Sequence, residues 1–213
     1  SPIVVWWPHS VPENPGEDSI GRIAQRRITD SARAYDPMAV LTHLSKVYQA
    51  GDSDLAWTRL TLWRTQLAAL LEQMPDSPVK RVVVWGSEKS PSVVLLGAWL
   101  GWKLEAEVHL ATIGAAERGL YRVAIEREDG QTIMFRPGKN IAIIETPYTP
   151  DQQIPLPVRT LADCISEELR RLDPDTMYGE VLKSAFPTLE MHPAQCDAEP
   201  FLDTSEFPEV FDA

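Results

Sequence analysis

The sequence predicts an α/β fold: a mixed sheet with flanking helices, parallel in type over its N-terminal part, then an antiparallel meander and C-terminal helices. Three observations carry this. Residues 3–7 (IVVWW) and 81–85 (RVVVW) are rich in β-branched and aromatic residues, the composition of strands buried on both faces, and helical patterns follow them. From about residue 105 to 157 short alternating runs are separated by Gly114, Asp129-Gly130 and Pro137-Gly138, which is meander punctuation. Strand–helix alternation that gives way to such a meander suggests one mixed sheet.

The elements follow in order. Residues 3–7 form a buried strand that ends at Pro8. Next comes a short helix opened by Asp18 or Ser19, with Ile20, Ile23 and Ala24 as its inner face. Residues 27–29 read as a second short strand. Asp36-Pro37 starts a helix that turns Val40, Leu41, Leu44 and Val47 inward. Asp52 caps a helix over residues 52–74. Ser90 and Pro91 open another that is apolar nearly all round, so other elements should cover it on every side. Residues 108–111, 121–126, 132–135 and 141–144 supply the meander. Thr160-Leu-Ala-Asp163 is a capping-box variant before a helix with Leu161, Ile165, Leu169 and Leu172 inward. Asp173-Pro174 restarts a last helix through Tyr178, Val181 and Leu182.

Composition narrows the function. At 213 residues the chain can bury a core without staples, and residues 2–186 read as a single α/β domain. A net charge of -11 argues against a nucleic-acid binder, which would present a basic patch. The longest apolar run, residues 93–102, is too short to span a membrane. Cys164 and Cys196 form no CxxC pair, which suits a reducing cytoplasm. The Ser-Pro start, directly before a strand, reads as a cut inside a longer protein.

Residues 187–213 stand apart as an acidic strap. After Lys183 there is no Lys or Arg but seven carboxylates, so without them the net charge of -11 would be -4. Four of the five phenylalanines lie at or beyond Phe186, and a purely solvating tail should be poor in aromatics. Phe201, Phe207 and Phe211 are therefore expected to anchor the strap to its own domain or to a neighbour.

The chain carries no P-loop, no GxGxxG and no GxSxG. His192 and Cys196 lack the further ligands that a metal site needs, and no catalytic residue, metal or cofactor is assigned. The turn from Gly86 to Ser92 is the best small-ligand candidate, because helix N-termini beyond strand ends bind anions. Ser87 and Ser90 there, and the Arg26-Arg27 pair, are candidate anion ligands. Plain capping by Ser90 and solvated or salt-bridged arginines are the commoner outcomes.

In residues 52–74, Ala56, Leu60, Trp63, Leu67, Leu70 and Leu71 share one helical face, while Asp54, Thr58, Thr61, Thr65 and Glu72 remain for water. Arg59 projects beside Trp63 and Leu70, and Arg64 beside Trp57 and Leu71. A buried arginine needs an acidic or carbonyl partner, and Asp18 or Asp30 is the internal candidate for these two; Arg59 is the one expected to be paired internally. Trp and Arg are also the residues enriched at interface hot spots, so Trp57 and Arg64 are candidate partner-binding residues.

The stretch DLAWTRLTLWR (54–64) resembles the glucose-6-phosphate dehydrogenase assembly protein family, OpcA, especially its actinobacterial members. VVWWP (4–8), AQRRITD (24–30), SPS (90–92) with AWL (98–100), and EELRRLDPD (167–175) with Tyr178 are similar to the same family, in the same order. Nothing after Phe186 adds to the resemblance. It implies a non-enzymatic cytoplasmic partner that binds glucose-6-phosphate dehydrogenase, favours its active state and supports NADPH production in the oxidative pentose phosphate pathway. The alternative expectation is an α/β protein that binds a sugar phosphate or nucleotide at the Gly86–Ser92 turn.

Overall fold

The computed structural model describes residues 2–74, 76–112 and 119–194. These residues form two sheets rather than one. β1 (Val4–Trp6), β2 (Arg26–Thr29) and β3 (Asp52–Asp54) make a small, wholly parallel sheet in that order. The larger sheet has seven strands in the order β10-β5-β4-β6-β7-β8-β9. Its parallel half is β4 (Arg81–Trp85), β5 (Glu107–Ala111) and β10 (Met191–Pro193). Its antiparallel half is β6 (Arg122–Arg127), β7 (Gly130–Phe135), β8 (Ile141–Glu145) and β9 (Gln152–Pro155).

The α/β class and the parallel-then-meander order hold, with three changes of membership. β5 belongs to the parallel half, because the helix between it and β4 is a crossover, and a crossover returns the chain parallel. β9 and β10 are polar or very short strands without an alternating signature. β1 lies at the edge of the small sheet and leaves Trp6 partly in solvent, so it is not the buried strand that its apolar run predicts.

β4 explains its own composition. Val82 and Val84 face the main core, while Val83 and Trp85 face a second cluster with Tyr121, Ala124 and Ile133. With both faces buried, no polar alternation survives. The crossover helix α4 (Pro91–Leu104) is buried continuously from Val93 to Leu100, as its all-round apolar surface requires. It packs on β4 and β5 and meets helix α1 (Pro37–Val47), which Asp36 caps by accepting from the Ala39 amide at 3.0 Å.

Residues 52–74 do not form one helix. Asp52 to Asp54 are strand β3, and Asp54 is the cap of a short helix α2 (Leu55–Thr58). The chain then tightens, Leu60 N bonding to Trp57 O, before α3 (Thr61–Gln73) begins. Asp52 instead pairs with Arg27 and accepts from Gln49 N at 2.7 Å. Gly51, at φ 98°, makes the turn into β3, and a Cβ there would meet Gln25 O at 2.4 Å.

Two predicted inner faces hold only in part. Ile20 and Ile23, on a single 3-10 turn, are exposed, and only Ala24 is buried. Helix α5 (Leu161–Arg170) has the predicted capping box and packs Leu161 and Ile165 inward as predicted, but it also turns Cys164 and Glu168 inward and leaves Leu169, and Leu172 beyond its end, exposed. The reason is electrostatic: Glu168 is the counter-ion of the buried Arg26. Helix α6 (Thr176–Glu180), capped by Asp175, brings Tyr178 into the core, with Val181 and Leu182 following on a π-helical turn.

Candidate functional site

Two strands of the small sheet, RRIT and DSD, are made largely of residues that ordinarily face water, and a polar network holds them. Arg26 is 1% exposed, paired with Glu168, and donates to Asp173 O at 2.6 Å and Arg171 O at 3.2 Å. Arg27 pairs with Asp52 and donates to Ala50 O at 2.6 Å. Asp54 accepts from the Thr29 and Ser31 hydroxyls and from the amides of Ser31 and Ala56, all within 2.9 Å. Burial nevertheless pushes its carboxyl above the ordinary carboxylate range, and those hydrogen bonds oppose the shift. Thr58, expected in water, is buried and donates to Glu168 at 2.6 Å. Arg26 and Arg27 are thus buried cations paired with carboxylates, the salt-bridged arrangement rather than a free pair facing an anion, and Arg26 Nε is left unbonded.

The two arginines of the α2–α3 segment differ. Arg59 forms a fork with Asp30, at 2.8 and 2.7 Å. Arg64 has no carboxylate within ion-pair distance among the described residues. Its guanidinium stacks 3.8 Å from the Trp57 ring centroid, and among the described residues its side chain makes one long hydrogen bond, to the Thr61 hydroxyl at 3.5 Å. Burial pulls its pKa down to about 10, while Asp175 and Glu167 push the other way. Trp57 is 1% exposed and donates to Asp175 at 3.0 Å, so it supports Arg64 from beneath and has almost no free surface of its own.

An open cavity of about 530 Å³ lies where the N-termini of α4 and α5 converge beside α3. Arg33, Arg59, Arg136 and Arg159 all line it, and among the described residues no carboxylate does. Arg159 is paired with Glu167 and donates to Thr58 O at 2.8 Å. Arg33 sits at the exposed rim, 3.6 Å from the Asp30 that Arg59 already occupies. Arg136 is 8% exposed, with no carboxylate partner among the described residues; its Nε is unbonded and its Nη2 reaches Pro157 O only at 3.4 Å. Burial lowers its pKa to about 10.

Of the four candidate anion ligands, only Ser90 reaches this cavity. It stands at the N-cap of α4 without the side-chain hydrogen bond expected of it. Ser87 accepts from the Lys89 amide at 3.1 Å in the preceding turn and does not line the cavity. Sequence reasoning missed Arg33, Arg136 and Arg159 because they lie in three separate segments, a 3-10 turn and two loops, and share no motif. Phe201, Phe207, Phe211 and Cys196 lie outside the described residues. Among those described, no cluster of three or more His, Cys, Asp or Glu could hold a metal, and no helix is long and apolar enough to cross a membrane.

Fold and site define an α/β protein whose small polar sheet is cemented to a large mixed sheet, with an arginine-lined cavity beside their junction. Residues 1–46 match the family model described as glucose-6-phosphate dehydrogenase subunit N-terminal domain, and residues 50–182 the corresponding C-terminal domain model. The chain belongs to this OpcA family of glucose-6-phosphate dehydrogenase assembly proteins. A search of the curated proteins found no match. Among solved structures, the ketoreductase KijD10 from Actinomadura kijaniata aligns at 10% identity over 90% of this chain and 79% of that one, TM-score 0.49. The UDP-N-acetylglucosamine 3-dehydrogenase GnnA from Acidithiobacillus ferrooxidans aligns at 9% identity over 86% and 77%, TM-score 0.34. At that distance neither likeness bears on activity.

Proposed function

We propose that this chain is a non-enzymatic assembly factor that binds glucose-6-phosphate dehydrogenase and acts as its allosteric activator, supporting cytoplasmic NADPH production in the oxidative pentose phosphate pathway. The observation that carries this reading is the match of both dehydrogenase-subunit family models along the chain. Two surface features suit a protein partner. Arg64 offers a desolvated guanidinium, stacked on Trp57, that has no carboxylate among the described residues. Ile3, Trp6, Ile20 and Ile23, at and near the free β1 edge, expose apolar surface. We assign Arg64, with Trp57 behind it, to the contact, and Phe201, Phe207 and Phe211 of the strap 187–213 as further anchors. In this reading residues 2–186, together with strand β10 of the strap paired onto β5, act as one folded unit that carries the rest of the strap.

The mechanism is a population shift. A partner with higher affinity for the active dehydrogenase raises that form by the difference in affinity. A coupling of roughly 1–3 kcal/mol multiplies the equilibrium about 5- to 150-fold. The test is co-purification with the dehydrogenase, then its kinetics with and without saturating chain. Activation without turnover by the chain alone is expected; equal rates in both conditions sink the proposal.

A further inference from the structure

We propose that the arginine-lined cavity at the N-termini of α4 and α5 is a binding site for a small phosphate monoester. The inference goes beyond the dehydrogenase reading and does not depend on it.

Charge makes the first part of the argument. Four guanidinium groups line the cavity, and the carboxylates they touch are Asp30 and Glu167. Arg33 and Arg59 share Asp30, while Arg136 has none among the described residues. A buried guanidinium without a counter-ion costs stability, and the cost is offset once an anion enters. Arg136 is the residue that asks for a ligand: its Nε is buried and unbonded, and Trp63 lies 5.3 Å beneath the guanidinium.

Helix ends make the second part. α4 has fourteen residues and presents a developed positive dipole end to the cavity, whereas the N-terminus of α5 is already occupied by the Thr160–Asp163 capping box. The Ser90 hydroxyl makes no cap bond, leaving it and the first-turn amides of α4 without a side-chain acceptor at that cap. Arginine forks and helix N-termini together match the geometry of a phosphate group.

Shape makes the third. The cavity is larger than a bare anion needs, and Leu60, Trp63, Leu120 and Val158 wall its remainder with apolar surface. That space suits the sugar ring or base of a phosphate monoester.

The test uses the chain alone in low-salt buffer, with calorimetric titration and thermal shift. Probes are inorganic phosphate, glucose 6-phosphate and adenosine monophosphate, with glucose and adenosine as uncharged controls. At least one ester should bind saturably, more tightly than inorganic phosphate and in competition with it, while the controls do not bind. Arg136→Gln should weaken binding tenfold or more. Arg33→Gln, at the exposed rim where folding does not depend on it, should weaken it severalfold. Absence of saturable phosphate binding at millimolar concentration overturns the proposal, as does binding unchanged in Arg33→Gln and in folded Arg136→Gln. A cavity that ignores every phosphate, while Arg33→Glu abolishes dehydrogenase binding, would assign it to an acidic side chain of the partner instead.

Discussion

Arg59 and Arg64 stand five positions apart and have opposite environments. Asp30 is almost wholly buried, and the Arg59 fork is its principal partner. Arg59→Ala leaves that carboxylate with Arg33 alone, at 3.6 Å, and should cost about 1–3 kcal/mol. For a chain of this size that lowers Tm by roughly 2–4 °C per kcal/mol, measurable by calorimetry. Arg59→Lys should recover only part of the loss, because an ammonium cannot reproduce the fork. Arg64 has no carboxylate to strand, and burial already works against its charge. Arg64→Ala should therefore change Tm little and reduce activation of the dehydrogenase, read as rate against chain concentration. Loss of folding with activation per folded molecule intact would make Arg64 purely structural.

At the scale of elements, helix starts are where local sequence and structure agree best. Thr160 and Asp163 cap α5 reciprocally: Thr160 Oγ1 accepts from the Asp163 amide at 3.1 Å, and Asp163 accepts from the Thr160 hydroxyl and amide at 2.7 and 2.8 Å. Those bonds, the hydroxyl's first, hold the Asp163 carboxyl below its ordinary range. A depressed folded pKa contributes stability that is fully present above the unfolded value, about 3.9, and is lost as pH falls through the folded value. Thr160→Val removes the hydroxyl and should destabilise the protein most at neutral pH, the deficit shrinking as pH falls below 4. Denaturant midpoints across pH 2.5–7 check this; a pH-independent deficit would show that the carboxyl plays no part.

For the whole molecule, the ties that hold the small sheet and α2 to the C-terminal helices are polar, while the core of the large sheet is apolar. Arg26–Glu168 ties the small sheet to α5, Arg159–Glu167 ties the loop before α5 to that helix, and Trp57–Asp175 ties α2 to the cap of α6. Such a joint fixes geometry by direction rather than by area, which suits a protein that presents a shaped surface. The acidic strap belongs to this scale too. Replacing Phe201, Phe207 and Phe211 together with Ala should leave the Tm of the domain nearly unchanged and weaken dehydrogenase activation. A large fall in Tm would instead place the strap within the fold's own stability.

The sequence by itself determined the α/β class, the caps at Asp36 and Thr160, the buried crossover helix and the family, because each rests on local periodicity or on a contiguous run of residues. It also offered Asp30 as one of two acidic partners for the arginines of this segment, and Arg59 is the arginine that takes it. Tertiary structure decided what local pattern could not express. The strands RRIT and DSD look solvent-facing, yet they are fully buried, because their charges cancel against residues distant in the chain. Burial of Arg26 then turned Glu168 inward and Leu169 outward, the reverse of what the spacing of leucines predicts. The cavity is the same case: Arg33, Arg59, Arg136 and Arg159 share a wall only after both sheets are assembled. Electrostatic pairing is long-range in sequence and short-range in space, so only the folded chain shows which charges have found partners and which have not.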